Sequence, residues 1–179
     1  MHLATRLFSI SIFILTCSCF VQCKKNNNAS ISDNPYGLPN ATQTGAGVFA
    51  CRINGVNFVA GSVPFYMNYA QLVKDTIYMN GGIEQSLHFE GVGLFIKQIV
   101  SIGNYSIDSV KVGAAYTTDS TCAGISSQAT TAFSKNGIIK ITKFDANNKI
   151  VSGSFNCTFS IPNCDTLHIT DGRFDYQYN

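Results

Sequence analysis

Ser86, His88 and Glu90 alternate in the run SLHFE, so on a strand all three side chains would leave one face. Serine, histidine and a carboxylate are the parts of a hydrolytic triad, in which the imidazole takes the hydroxyl proton and the carboxylate orients the ring. The spacing argues against that chemistry. Neighbours two apart on one strand stand side by side, whereas triad partners converge from separate elements, and no G-x-S-x-G elbow is present. His88 and His168 are the only histidines after His2. A solvated strand face is the simpler reading of the trio, and no catalytic residue is assigned. The hydrolase stands third among the functions considered.

Asn163, Asp165, Asp171 and Asp175 could in principle gather around calcium. Their spacing does not follow the loop in which oxygen ligands recur every second residue. Asp171-Gly172 reads as a turn or bulge before the last strand, so neither a metal nor a cofactor is expected. Aromatic side chains are the other chemical resource. Tyr66, Met67 and Tyr69 cluster in VPFYMNYAQ, and Tyr176 and Tyr178 alternate near the C-terminus. Tyrosine presents an apolar face with a hydroxyl, which suits a carbohydrate or peptide surface. The competing expectation is that these rings fill the core. A binding protein would show a concave patch lined by Tyr66 and Tyr69; a structural one would bury them beneath flat polar faces.

The elements that must carry these residues follow from composition. Of 179 residues, 45% are hydrophobic and only 12% charged, which excludes a disordered charged tail and a long coiled coil. With 12 basic and 10 acidic side chains, no strong field favours nucleic acid. Arg6 is followed by the apolar run LFSISIFILTCSCFVQ and then by CKKNNNASISD. A basic start, a short apolar middle and an abrupt polar switch describe a signal peptide. A cysteine at the switch resembles a bacterial lipoprotein signal, with Cys23 the lipidated residue and Cys19 the alternative. An ordinary cleaved signal peptide with an incidental cysteine is the plainer variant. Residues 1–22 are read as the signal peptide, 23–44 as a flexible polar tether with two prolines, and 45–179 as one domain.

Export places the later cysteines, Cys51, Cys122, Cys157 and Cys164, in an oxidising compartment. Four cysteines allow three pairings. A short loop could join Cys157 to Cys164, leaving Cys51 with Cys122; alternatively some are buried free thiols. Without a C-x-x-C or paired histidines, zinc is not expected.

The domain reads as all-β. Asn54-Gly55 between two β-branched and aromatic runs signals a two-residue hairpin. Further strands are predicted over 65–69, 73–79, 83–90, 94–100, 109–116, 137–144, 149–160 and 166–178. Asn80-Gly81-Gly82, Gly91, Gly103-Asn104, Asn136-Gly137 and Asn147-Asn148 are read as the breaks between them. Weak helical spacing leaves a short helix open over 94–102. About nine short strands imply a single antiparallel β-sandwich or barrel-like domain.

LPNATQTGAGVFACRINGVNFVA, from Leu38 to Ala60, and ITDGRFDYQY after IVSGSFNCTF resemble a family of small envelope lipoproteins of Bacteroidota. That family has no assigned activity, so the resemblance implies a location and a β-rich fold and carries over no catalytic residue. Within that frame four Asp-Ser/Thr pairs stand out, at Thr76, Ser109, Ser120 and Thr166. They are similar to the O-glycosylation acceptor of Bacteroidota envelope proteins, although a turn-forming Asp also commonly precedes a strand. The expectation is an envelope protein held by a lipid anchor, not an enzyme in function but a binding module for an envelope protein, glycan or peptide. The alternative is a structural surface lipoprotein without a discrete ligand. An outer-membrane location is expected.

Overall fold

The computed structural model describes residues 34–61, 68–85, 88–98, 101–121, 124–161 and 164–179. The leader, with Cys19 and Cys23, therefore lies outside the described residues, as do Tyr66, Met67, Ser86, Cys122 and Asn163. Eleven strands occur among the described residues: β1 (Ala46–Ile53), β2 (Val56–Val59), β3 (Tyr69–Val73), β4 (Thr76–Gln85), β5 (His88–Lys97), β6 (Gly103–Ser106), β7 (Val112–Thr121), β8 (Gly124–Phe133), β9 (Asn136–Asp145), β10 (Ile150–Phe159) and β11 (Leu167–Gln177).

They form two antiparallel sheets. The first has the order β2-β1-β11-β10-β9-β6 and the second β3-β4-β5-β7-β8. Both sheets are open at their edges, so the fold is a β-sandwich and not a barrel. Alternation builds the core between them. Phe49, Phe155, Phe174 and Tyr176 project from the first sheet, and Ile77, Met79, Val92, Leu94 and Ile96 from the second. The Phe49 and Phe155 rings lie 5.1 Å apart, within the range of favourable aromatic packing. One polar tie crosses the core: the Tyr176 hydroxyl lies 2.6 Å from the Asn80 carbonyl and also meets the Asn68 amide.

Asn54-Gly55 is a two-residue hairpin turn, with φ of 47° and 82° and Ile53 paired to Val56. The β9–β10 hairpin forms around Asn147-Asn148 as expected, with Asp145 accepting from both backbone N–H groups. Other breaks were misplaced. Asn80, Gly81 and Gly82 sit inside β4, opposite Gly93, Val92 and Gly91 of β5, so these glycines are sheet and not turn. The segment open to a helix is strand up to Lys97, because Val92, Leu94 and Ile96 alternate into the core. β8 escapes the sequence reading, since its Ser, Thr and Gln carry no alternating apolar pattern.

The domain boundary also moves. The compact unit runs from Asn34 to Asn179. Residues 34–44, expected as tether, instead form a strap on the outer face of the first sheet. Arg52 lies 3.8 Å over the Tyr36 ring, and Asn57 donates to the Tyr36 carbonyl at 2.7 Å. Arg173 donates to the Pro39 carbonyl at 2.9 Å, and Lys143 to that of Gln43 at 3.0 Å. Leu38 is buried. Polar, proline-rich composition signalled irregular backbone correctly, but irregular backbone docks when side chains from a sheet satisfy its carbonyls.

Candidate binding trough

The outer face of the second sheet can be laid out from its register. Tyr69, Asn80, Gly93, Ala115 and Phe133 form one row across β3, β4, β5, β7 and β8, since each pairs with the next. Gly82, Gly91, Thr117 and Thr131 form the row beside it. Tyr78 and Phe95 pair on one side of these rows with ring centroids 6.3 Å apart, and Phe89 lies on the other. The centre is a shallow trough with a cavity volume of about 180 Å³, lined by Tyr69, Asn80, Gly82, Phe89, Gly91, Gly93, Ala115 and Thr117 among others. That is smaller than the roughly 300–1,000 Å³ of pockets that enclose a drug-sized ligand.

Glycine is disfavoured inside a strand by about 0.5–1 kcal/mol, so each one on this sheet needs a reason. Gly81 has one in the core, where an added Cβ would lie 2.5 Å from Cγ of Phe49. Gly113 has one on the surface, because the Phe95 ring covers it. Gly91 and Gly93 are different. Their φ values are ordinary, and an added Cβ would meet only side-chain ends, Cζ of Phe89 at 3.0 Å and Oδ1 of Asn80 at 2.6 Å. Those ends can swing aside, so folding alone does not demand glycine there. Glycine inside a strand often marks a bulge, a bend or close approach by a ligand or another backbone, and β5 pairs with β4 and β7 here without a register shift.

Beyond the trough, Asp119 holds the start of β5. Its carboxylate lies 2.6 Å from Nδ1 of His88 and accepts the Phe89 N–H at 2.9 Å. Glu90 turns the other way and accepts the Tyr116 hydroxyl. His88 and Glu90 thus have separate partners, and they do not assemble as a triad; Ser86 is outside the described residues.

Other expected sites disperse. Asp165 and Asp171 are exposed, and no group of three or more His, Cys, Asp or Glu fit for a metal occurs among the described residues. Asp175 is buried and already occupied. It accepts from the Thr42 hydroxyl at 2.6 Å, the N–H groups of Thr44, Gly45 and Ala46 at 3.0, 2.8 and 3.1 Å, and the Ser152 hydroxyl at 2.6 Å. It is the clamp of the strap. Burial opposes its ionisation, but the hydrogen bonds from Ser152, Thr42, Ala46 and Gly45 prevail and hold the carboxyl below the ordinary carboxylate range. Tyr176 and Tyr178 are buried in the core, whereas Tyr69 remains half-exposed on the trough rim. Of the Asp-Ser/Thr pairs, Thr76 is buried where β4 begins, while Ser109 and Thr166 are exposed. Asp108 accepts from the N–H groups of Val112, Val110 and Lys111, which pull its carboxyl down to about 2, so at Ser109 the Asp does make a turn. Ser120 lies on β7, and its side chain is outside the description.

The cysteines also depart from the pairing considered first. Cys51 and Cys157 are free buried thiols, whereas Cys164 is held in a disulfide that involves neither of them. Topology explains why Cys51 and Cys157 do not pair with each other. β1 and β10 flank β11, so the two thiols stand about two strand spacings apart, near 10 Å and beyond disulfide reach. Burial pushes the Cys157 thiol up to about 12 and Cys51 higher still, Cys157 and Glu90 adding to the latter. Because the thiolate is the nucleophile, neither should react with a thiol reagent at pH 8 in the folded protein. Titration with a chromogenic disulfide should give no fast thiol from Cys51 or Cys157 until denaturant is added; prompt labelling of either in native buffer would show that the site opens.

Of the residues lining the trough, the sequence reading singled out Tyr69 but not Asn80, Phe89, Gly91, Gly93 or Thr117. The available signal was two glycine-bearing segments, NGGIEQ and HFEGVG, at a hairpin spacing that sets Gly82 opposite Gly91. No family model, curated protein or solved structure matches the chain.

Proposed function

We propose that this chain is an exported, lipid-anchored envelope protein, akin to the small Bacteroidota lipoproteins its two ends resemble, and that its sandwich is a binding module. The trough on the second sheet carries the reading. Tyr69 on its rim and a glycine floor make the concave, aromatic-edged surface expected of a binder, where a purely structural lipoprotein would need only flat polar faces. The strap supports the arrangement. It lies on the first sheet, on the face of the sandwich opposite the trough. Eleven Cα steps separate Cys23 from Asn34, and at ~3.6 Å each they hold the domain within ~40 Å of a lipid anchor.

Photo-cross-linking in the host tests this. The full chain carrying a photoreactive residue at Thr117 should yield adducts with an envelope component, and the same residue at Thr170 on the first sheet should not. Equal adducts at both positions, or none at either, would reject the trough as the site. Recovery of the full chain from membranes without detergent would reject the anchor.

A further inference from the structure

We infer that the trough takes an uncharged carbohydrate chain, an inference that rests on the binding-module reading above. Three observations point to that chemistry. First, no Lys, Arg, Asp or Glu lines the trough among the described residues, so nothing there would offset the desolvation of a charged ligand. Second, the backbone groups of the floor are already engaged. Gly82 pairs with Gly91, and Gly93 sits between Asn80 and Ala115 in the centre of a five-stranded sheet. A peptide laid in the trough would find no main-chain donors or acceptors to complete a strand, and its own amides would go unsatisfied. Third, the polar side chains of the trough are uncharged: the Asn80 amide, which lies over Gly93, the Thr117 hydroxyl and the Tyr69 phenol.

A sugar ring has the matching distribution. Its C–H faces are apolar and flat, and its hydroxyls radiate around the perimeter. One face can lie over Gly91 and Gly93 once the ends of the Phe89 and Asn80 side chains that now cover them swing aside, with Tyr69 and Phe89 packing beside it. The hydroxyls then reach Asn80 and Thr117. The glycines are thereby explained as floor: any larger residue would lift the ring off the sheet.

Affinity electrophoresis and calorimetry with the full chain in mild detergent test the inference, using uncharged hexose oligomers, uronic-acid oligomers of the same length and uncharged peptides as probes. Uncharged oligomers should bind saturably. Gly93→Thr, which fills the floor with a residue that strands favour, and Tyr69→Ala should each weaken binding about tenfold, equivalent to about 1.4 kcal/mol. Both variants should keep the thermal midpoint of the parent. Preference for uronic-acid oligomers or peptides would overturn the sugar chemistry while leaving a binding module, as would adducts at Thr117 that contain no sugar. Sugar binding that Gly93→Thr leaves intact would overturn the site. Absence of both sugar binding and Thr117 adducts would overturn the inference together with the reading it rests on.

Discussion

Asp175→Asn should destabilise the domain by about 4 kcal/mol and release the strap, although it removes only a charge and almost no volume. Both carboxylate oxygens accept a backbone N–H: Oδ1 that of Gly45, and Oδ2 those of Thr44 and Ala46. Whichever way an asparagine amide turns, its NH2 group faces one of these donors. A buried donor left without an acceptor costs about 1–3 kcal/mol, more when the lost partner was charged. Chemical denaturation should show a lower midpoint with little change in slope, and hydrogen exchange should accelerate through residues 42–46. The pH dependence has a definite sign. The folded carboxyl titrates below its ordinary range, so its contribution is fully present above the unfolded value near 4 and is lost as pH falls through the folded value. The parent should therefore lose stability below about pH 4, and the variant should lack that part of the acid limb. An Asp175→Asn protein with parental stability and an unchanged acid limb would show that the clamp contributes nothing.

The difference between what the sequence disclosed and what the structure adds is physical. Local chemistry was legible. Asn54-Gly55 forms its turn because both residues tolerate positive φ, and Phe155, Cys157 and Phe159 alternate inward because one face of β10 is core. Non-local pairing was not. Gly81, Gly82 and Gly91 read as breaks because glycine is common in turns, yet in β4 and β5 they face one another across a hairpin. Only the register shows that Gly81 makes room for the Phe49 ring in the core whereas Gly91 and Gly93 make room only for the ends of the Phe89 and Asn80 side chains. The strap misled for a similar reason. Its sequence is polar and irregular, and its partners Arg52, Arg173 and Asp175 lie up to 134 positions away. Asp175 was considered as a calcium ligand because a carboxylate near two others suggests a cation; its actual partners are N–H and O–H groups that no spacing rule foretells.

Gly153→Ala should be among the most damaging single-methyl additions in the chain. Gly153 lies in β10, a central strand held between β9 and β11, at the bulge where Ser152 and Gly153 pair with Lys143 and Ile141 and leave Thr142 over. An added Cβ would collide with the Lys140 carbonyl and lie 2.7 Å from Cζ of Phe174, one of the most completely buried rings. Neither obstacle can move cheaply: the carbonyl belongs to a paired strand, and the ring is packed on the core side. Interiors are close-packed, so the strain must spread into the β9–β10 ladder, at a cost of about 3 kcal/mol or more. In a domain of this size that lowers Tm by ~10 °C. Gly93→Ala is the control, since the same methyl on the outer face displaces only the end of the Asn80 side chain, and its stability should stay within about 1 kcal/mol of the parent. Thermal melts of the two variants side by side separate the causes. If both lose stability alike, the trough glycines are required by the fold and cease to argue for a ligand. If only Gly153→Ala falls, glycine at 93 serves something other than folding.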